Sequence, residues 1–149
     1  MKIVVDTNII FSALLNSNGN IGDLLFNSNK DFEFYSCNYM RYEIQKHWER
    51  LKKISKLTEE ELEISYTLVI AKLKFINEEI IPVETWLAAE QITQPIDLND
   101  TDFIALTKFL KANLWTGDKV LYRGLKKLNF KKVYNTAELL ATRELKAKK

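Results

Sequence analysis

The chain has 149 residues, of which 46% are hydrophobic and 28% are charged, so it is long enough for one domain with a buried core. Its 22 basic and 20 acidic residues give a net charge of +2, which is too balanced to indicate a nucleic-acid partner by itself. With Cys37 as the single cysteine, an internal disulfide is excluded, and we expect a buried structural thiol in a reducing compartment. No run approaches the roughly 20 apolar residues of a membrane span. Asp6 interrupts any signal-peptide core, so we expect a cytoplasmic protein.

The first half of the chain predicts short strands that alternate with helices. Residues 3–5 are continuously apolar, which is typical of a strand covered on both faces. Thr58 and Glu61 form a capping box, and the helix that follows carries Leu73 as the last residue of its apolar face. The predicted elements are a strand at 3–5, helices at 8–15 and 21–26, an aromatic-rich strand at 31–37, a long helix at 38–55 capped by Asn38, and the helix after Thr58.

The second half continues the alternation and defines the fold class. The predicted elements are a β-prone run at 79–83, a helix at 84–92, a loop at 93–99, a helix with an apolar face from Phe103 to Leu110, a strand at 113–116, a helix at 119–128, a strand at 130–134, and a last helix capped by Thr136 with a frayed basic tail at about 144–149. This order predicts a single α/β domain over 1–149, an α/β/α sandwich around a mostly parallel sheet of about five strands. Right-handed crossovers would bring the strand ends to one edge.

Four acidic residues stand where strands end or helices begin. Asp6 directly follows the first strand, and Glu43 lies in the first turns of the helix after the second strand. Asp100 opens the helix before the strand at 113–116, and Asp118 directly follows that strand. Since these element ends share one edge of a parallel sheet, we expect the carboxylates to meet there. Like charges raise each other's pKa, and a hard divalent cation relieves that cost, so the pattern predicts a site for Mg²⁺ or Mn²⁺ rather than zinc.

A cation held by carboxylates is suited to phosphodiester hydrolysis. One or two such ions can lower the pKa of a water molecule, orient it, and stabilise the leaving oxygen. The sequence has no Ser-His-Asp or Cys-His arrangement that would compete, since His47 is its only histidine. Lys46, His47 and Arg50 follow Glu43 at helical spacing, so they are candidates to contact a phosphate backbone. The alternative for these three is a solvated helix face.

These residues also carry a family resemblance. The motifs are Asp6-Thr7-Asn8 after the opening strand, Glu43 within Tyr42-Glu43-Ile44, the run Asp100-Thr101-Asp102-Phe103-Ile104-Ala105-Leu106, and Leu114-Trp115-Thr116-Gly117-Asp118. Each motif is short, but the four occur in order over nearly the whole chain. In that order they resemble the PIN-domain ribonucleases, and most of all the small single-domain PIN toxins of type II toxin–antitoxin pairs.

The resemblance implies a Rossmann-like fold and an endonuclease that depends on Mg²⁺ or Mn²⁺ and acts on RNA. It further implies a cognate antitoxin as a partner and a homodimer as the assembly. By motif position, Asp6, Glu43, Asp100 and Asp118 correspond to the catalytic acidic ligands of the family. The residues that match positions used to brace those acids are Thr7, Asn8 and Thr116.

One departure from the family pattern concerns the residues before the apolar helix. Relatives commonly have an aspartate pair there, whereas here the first member is Asn99. Asp97 and Asp102 are candidates to supply the missing charge. Asp102 lies about 200° around a helix from Asp100, so the two share a site only if the first turn is irregular.

Other interpretations stay open at this point. Each predicted ligand could instead be a helix cap or a solvated acid. A haloacid-dehalogenase-like phosphatase also has an aspartate after its first strand. Its mechanism requires a second aspartate two residues later as acid/base, and this chain has Asn8 at that position. A phospho-accepting receiver domain would need a phosphorylated aspartate after a central strand and a lysine near the end of the sheet. The remaining alternatives are an RNA-processing PIN nuclease that is not a toxin and a non-catalytic RNA- or protein-binding module on the same fold.

Overall fold

The computed structural model describes residues 1–148, and its centre is a five-stranded sheet in the order β3-β2-β1-β4-β5 with every pairing parallel. The strands are β1 (Lys2–Val5), β2 (Glu33–Cys37), β3 (Leu73–Ile76), β4 (Asn113–Trp115) and β5 (Val133–Tyr134). Ile3, Val4 and Val5 are fully buried because β1 is the central strand of a sheet covered on both faces. The predicted α/β class and parallel sheet are confirmed.

The helices that connect these strands pack around the sheet. They are α1 (Thr7–Leu15), α2 (Asn20–Asn27), α3 (Asn38–Lys46), α4 (Trp48–Ser55), α5 (Glu59–Ile70), α6 (Val83–Thr93), α7 (Thr101–Leu110), α8 (Lys119–Lys127) and α9 (Thr136–Ala147). Helix α7 contacts β1, β2 and β4 and packs against α6, while α1 packs against α2, α3, α4 and α5. Among the helices of residues 1–148, none is long and apolar enough to cross a bilayer.

The third strand lies earlier in the chain than the sequence predicted. Residues 73–76 pair with β2 from Phe34 to Cys37, whereas Leu73 was placed on the preceding helix. The predicted strand at 79–83 is wrong, because Glu78–Ile80 is a 3-10 helix and α6 starts at Val83. Ile80 and Ile81 are β-prone, but Pro82 lacks the N–H that a ladder needs and provides a φ of −59° at the start of α6.

The predicted helix at 38–55 is two helices separated at His47. Helix α3 ends at Lys46 and α4 begins at Trp48, with His47 at φ −107° and ψ 13° between them. The N–H of His47 is shared between the carbonyls of Glu43 and Ile44, each at 3.2 Å. The helix therefore breaks four residues after Glu43, a predicted ligand.

Two predicted helix caps are also wrong. Cys37 precedes α3 without a side-chain bond, and the Glu78 carboxylate instead accepts the N–H groups of Asn38 and Tyr39. At α9 the capping residue is Asn135, whose side chain accepts the N–H of Glu138 in a capping box. Helix α9 reaches Ala147, so most of the predicted frayed tail is helical, and Lys149 lies outside the described residues.

Candidate metal centre at the carboxyl edge of the sheet

Asp6 is the central acid of the candidate site. It leaves β1, is only 5% exposed, and begins α1 by accepting the N–H of Thr7 on Oδ1 at 2.8 Å. Its other oxygen, Oδ2, accepts the Thr116 hydroxyl at 2.8 Å. Burial raises the pKa of Asp6 to about 6 against the effect of these two hydrogen bonds, and the charges of Glu43 and Asp118 raise it further. A buried carboxyl group is thus fixed at the end of the central strand, with two other acids near it.

Glu43 reaches the same edge from α3. Thr7, at the start of α1, donates its hydroxyl to Oε1 of Glu43 at 2.6 Å. Burial of the side chain raises the pKa of Glu43, while the Thr7 bond and the nearby His47 and Lys46 lower it. The turn after β1 is therefore tied directly to the helix after β2.

Asp118 approaches from the other side of Asp6, at the end of β4. Its Oδ1 caps α8 by accepting the N–H groups of Val120 at 2.9 Å and Leu121 at 3.2 Å. Its own N–H donates to the hydroxyl of Thr116 at 3.0 Å. Because Thr116 also donates to Asp6, one hydroxyl links two of the predicted ligands.

Asn8 belongs to the same arrangement. Its side-chain Oδ1 accepts the N–H of Gly117 at 3.2 Å and joins the start of α1 to the turn after β4. With Thr7 and Thr116, it completes the set that the motifs predicted as bracing residues. All three side chains hydrogen-bond across the strand-end turns that carry the acids.

Asp100 has the most unusual environment of the four acids. It precedes α7 at the end of the 3-10 helix Leu98–Asp100 and makes no side-chain capping bond. Its Oδ2 is buried and has no hydrogen-bond partner among the described residues. Burial raises the pKa of Asp100 to about 8, and Asp6, Asp97, Asp118 and Glu43 add to the effect.

The residues present fit a hard divalent cation. A buried carboxylate oxygen without a partner is costly, and a cation at that point would offset the cost. Asp100 lies within the electrostatic reach of Asp6, Asp118 and Glu43, so the donors are all carboxylate oxygens, which Mg²⁺ and Mn²⁺ prefer. No three of these four acids, within residues 1–148, bring ligand atoms within 4.8 Å of one another.

Asp102 lies in a different group from Asp100. One carboxylate oxygen of Asp102, one of Glu78 and the Cys37 sulfur all lie within 4.8 Å of one another. Burial, followed by the charges of Glu78 and Glu43, raises the pKa of Asp102 to about 6. Burial also raises the pKa of the Cys37 thiol. The thiol is buried, as the sequence predicted. Asp102 is therefore grouped with Glu78 rather than with the other predicted ligands. It is still close enough to Glu43 for the Glu43 charge to raise its pKa.

Glu78 is the acidic residue near the site that sequence reasoning missed. It follows β3 and binds the start of α3, which carries Glu43. The sequence could have indicated Glu78, because a strand predicted at 73–76 would have made Glu78 another acidic residue shortly after a strand end. Asp97 is exposed and caps the 3-10 helix by accepting the N–H of Asn99 at 2.9 Å, yet its charge reaches both Asp100 and Glu43.

The predicted phosphate-binding residues lie on both sides of the helix break. Lys46 ends α3 and is exposed, and Arg50 is exposed on α4. His47, between them, packs edge-on against Phe11 with ring centroids 5.8 Å apart. Lys46 and His47 lie near enough to Glu43 to lower its pKa, whereas Arg50 belongs to the next helix, so the helical spacing used to group it with Glu43 does not apply.

Comparison with known proteins identifies the family. A model of the PIN domain matches residues 4–146, and the chain belongs to that family. PIN domains are nucleases, which gives the class of activity that the motifs predicted. A structure of VapBC2 from Rickettsia felis bound to a DNA fragment from their promoter has a similar fold, with a TM-score of 0.67 at 16% identity over 91% of this chain and 98% of that one. None of the curated proteins matches the chain.

Proposed function

We propose that the chain is a metal-dependent endoribonuclease, with residues 1–149 forming one nuclease domain, and that it is the toxin of a toxin–antitoxin pair. The observation that carries the proposal is the buried Asp100 Oδ2, which lacks a partner among the described residues and sits within reach of three other acids. Family membership supports the nuclease class. The oxygen-only donors favour Mg²⁺ or Mn²⁺, as one or two ions.

Each site residue has a separate task in this proposal. Asp6, Glu43, Asp100 and Asp118 would hold the cation, with Asp102 as a further candidate. When bound there, a divalent cation neutralises charge that develops on the phosphodiester and lowers the pKa of the attacking water. Thr7 and Thr116 fix the Glu43 and Asp6 carboxylates before the substrate arrives, and Asn8 holds the adjoining turn. Lys46 and His47 beside Glu43, and Arg50 beyond them, would bind the RNA backbone.

A cleavage assay tests the enzymatic part. Purified protein should cut single-stranded RNA with Mn²⁺ or Mg²⁺ and stop when EDTA is added. Asp6→Asn and Asp118→Asn should each lower the rate by at least about 100-fold, as expected for the loss of one charged transition-state contact. The control is Glu60→Gln, an exposed acid on α5. A wild-type protein that leaves RNA intact with every divalent cation tried would contradict the proposal.

The toxin assignment rests on the fold shared with the VapBC2 complex. It implies a cytoplasmic protein, a homodimer, and an antitoxin protein as partner. Expression of the chain alone should arrest growth, and Asp118→Asn should relieve the arrest at equal protein level. Harmless expression of a protein that still cuts RNA in vitro would instead indicate a processing nuclease. Harmless expression of a protein that binds RNA without cutting it would indicate a non-catalytic module.

A further inference from the structure

A pocket of about 450 Å³ opens beside Asp118, where β4 and β5 end. Thr116 and Asp118 line it and also belong to the candidate metal centre, so the pocket adjoins the centre at these two residues. Its other walls come from α8, with Lys119 and Arg123, and from Asn135 and the first two residues of α9. A ligand that lies in this pocket would therefore touch the metal centre at one end.

Two cations give the pocket its charge. Lys119 and Arg123 are four residues apart on α8, so they lie on the same side of that helix, and both are exposed. Neither takes part in an ion pair within residues 1–148. Neither cation is therefore held by an ion pair of the described chain, so both can contact an anionic ligand beside Asp118.

Hydrogen bonds between α8 and the start of α9 fix other parts of the pocket wall. Tyr122 donates its hydroxyl to Oε1 of Glu138 at 2.8 Å, and the same oxygen accepts the N–H of Asn135 at 3.0 Å. Thr136 accepts the indole N–H of the buried Trp115 at 3.1 Å. Tyr122 is thus an aromatic residue of the pocket wall whose hydroxyl is held by Glu138. The Lys126 ammonium lies over its ring, 5.4 Å from the centroid, so a base in the pocket would meet the remaining exposed part of the ring.

The strand order places the pocket relative to the acids. Strand β4 lies between β1 and β5, so the pocket is on the side of Asp118 away from Glu43 and Lys46. Neighbouring strands are about 4.8 Å apart, so the pocket, which Asp118 lines, begins about one strand spacing from Asp6. A chain of nucleotides that crosses the acids has Lys46 on one side of them and Lys119 and Arg123 on the other.

We propose that this pocket binds one unpaired nucleotide next to the scissile phosphate, with an adjoining phosphate between Lys119 and Arg123 and the base against Tyr122. The inference rests on the proposed ribonuclease function and makes single-stranded RNA its substrate class. The volume lies within the range of small-ligand pockets, roughly 300–1,000 Å³. A base can enter such a pocket only when it is released from a duplex.

The test measures binding of a labelled single-stranded RNA hexamer by fluorescence anisotropy in the Asp6→Asn background, over a series of salt concentrations. Lys119→Gln with Arg123→Gln should weaken binding at least about tenfold and lower the slope of log K against log salt by about 1.4, for two lost phosphate contacts on a single strand. Ala137→Tyr, which fills the pocket without changing its charge, should weaken binding and leave that slope unchanged.

The matched control is Lys131→Gln with Lys132→Gln, which removes the same charge just before β5, at the opposite edge of the sheet. It should change binding less than about twofold. The wild-type cleavage assay is run first on the same RNA. A wild type that neither cuts nor binds overturns the proposed function and this inference with it. A wild type that cuts, with a Lys119/Arg123 variant that binds as tightly and with the same salt slope, overturns the pocket assignment alone.

Discussion

At the scale of single residues, Asp100 gives the clearest physical signature. Its pKa of about 8 in the folded protein exceeds the ordinary value of 3.8, so the folded state binds an extra proton between these pH values. The resulting stability is fully present below about pH 4 and is lost as the pH rises through 8. Without divalent cations, we expect the melting temperature to fall from pH 5 to pH 9, and Asp100→Asn to reduce this fall and melt higher at pH 9. Each kcal/mol corresponds to roughly 2–4 °C for a chain of this length.

The control for this experiment is Asp31→Asn, a carboxyl group away from the candidate centre. Thermal unfolding followed by circular dichroism in EDTA gives the profile of each variant. Asp6, with a pKa of about 6, contributes in the same direction between pH 4 and 6, so some dependence should remain in Asp100→Asn. Identical profiles for the wild type and Asp100→Asn would show that the Asp100 environment is not as described.

Thr116 is the residue on which the positions of two acids depend. Thr116→Val keeps the side-chain shape and removes the hydrogen bonds to Asp6 and Asp118. We expect Mn²⁺ affinity to fall by about 10- to 100-fold, the usual loss when an outer partner of a ligand is removed. Calorimetric titration measures it. Thr107→Val is the control, since this buried hydroxyl donates to Phe103 within its own helix, and an equal loss there would contradict a specific role for Thr116.

The sequence predicts the acids of the candidate site but not their hydrogen-bond partners. Asp6 and Asp118 stand at strand ends, a position that can be read from the local pattern alone. The Thr7–Glu43 bond joins residues 36 apart, and the placement of Asp102 beside Glu78 depends on where β3 ends. Such contacts follow from the packing of several elements, which a local pattern does not contain.

At the scale of elements, the predictions failed where local signals conflicted with packing. The stretch 38–55 is suited to one helix, and the break at His47 comes where Trp48 and Leu51 turn into the core. The run Ile80-Ile81-Pro82-Val83 is more β-prone than 73–76, but only the earlier segment can pair beside β2. The central strands were predicted well because a continuously buried strand leaves a continuous apolar run.

The junction of α8 and α9 supports an element-scale prediction. Glu138 accepts hydrogen bonds from Tyr122 of α8 and from the N–H of Asn135 at the start of α9. Glu138→Ala should lower the free energy of unfolding by about 1–3 kcal/mol, since it removes half of a capping box and leaves a partly buried hydroxyl without its acceptor. Urea denaturation measures the loss. Glu144→Ala, at an exposed position of the same helix, should cost less than about 0.5 kcal/mol. Equal losses would contradict the coupling.

At the scale of the whole molecule, a small net charge conceals a strongly uneven distribution. The chain carries +2 overall, yet Asp6, Asp100, Asp118 and Glu43 converge at the carboxyl edge of one sheet. Basic residues of α3 and α8 that form no ion pair within residues 1–148 flank them. The parallel topology produces this arrangement, because it brings every strand end to the same edge. The composition alone gave no indication of it.

The convergence of these acids makes stability dependent on divalent cations. At pH 8, Mn²⁺ at about 100 times its Kd should stabilise the folded state by about 2.7 kcal/mol and raise the melting temperature accordingly. Asp6→Asn should melt higher than the wild type in EDTA, because it removes a charge from a crowded buried group, and should lose the response to Mn²⁺. Glu60→Gln should respond like the wild type. An Asp6→Asn variant that Mn²⁺ stabilises as much as the wild type would show that the cation binds elsewhere, and the carboxylates would then have to be explained by the fold alone.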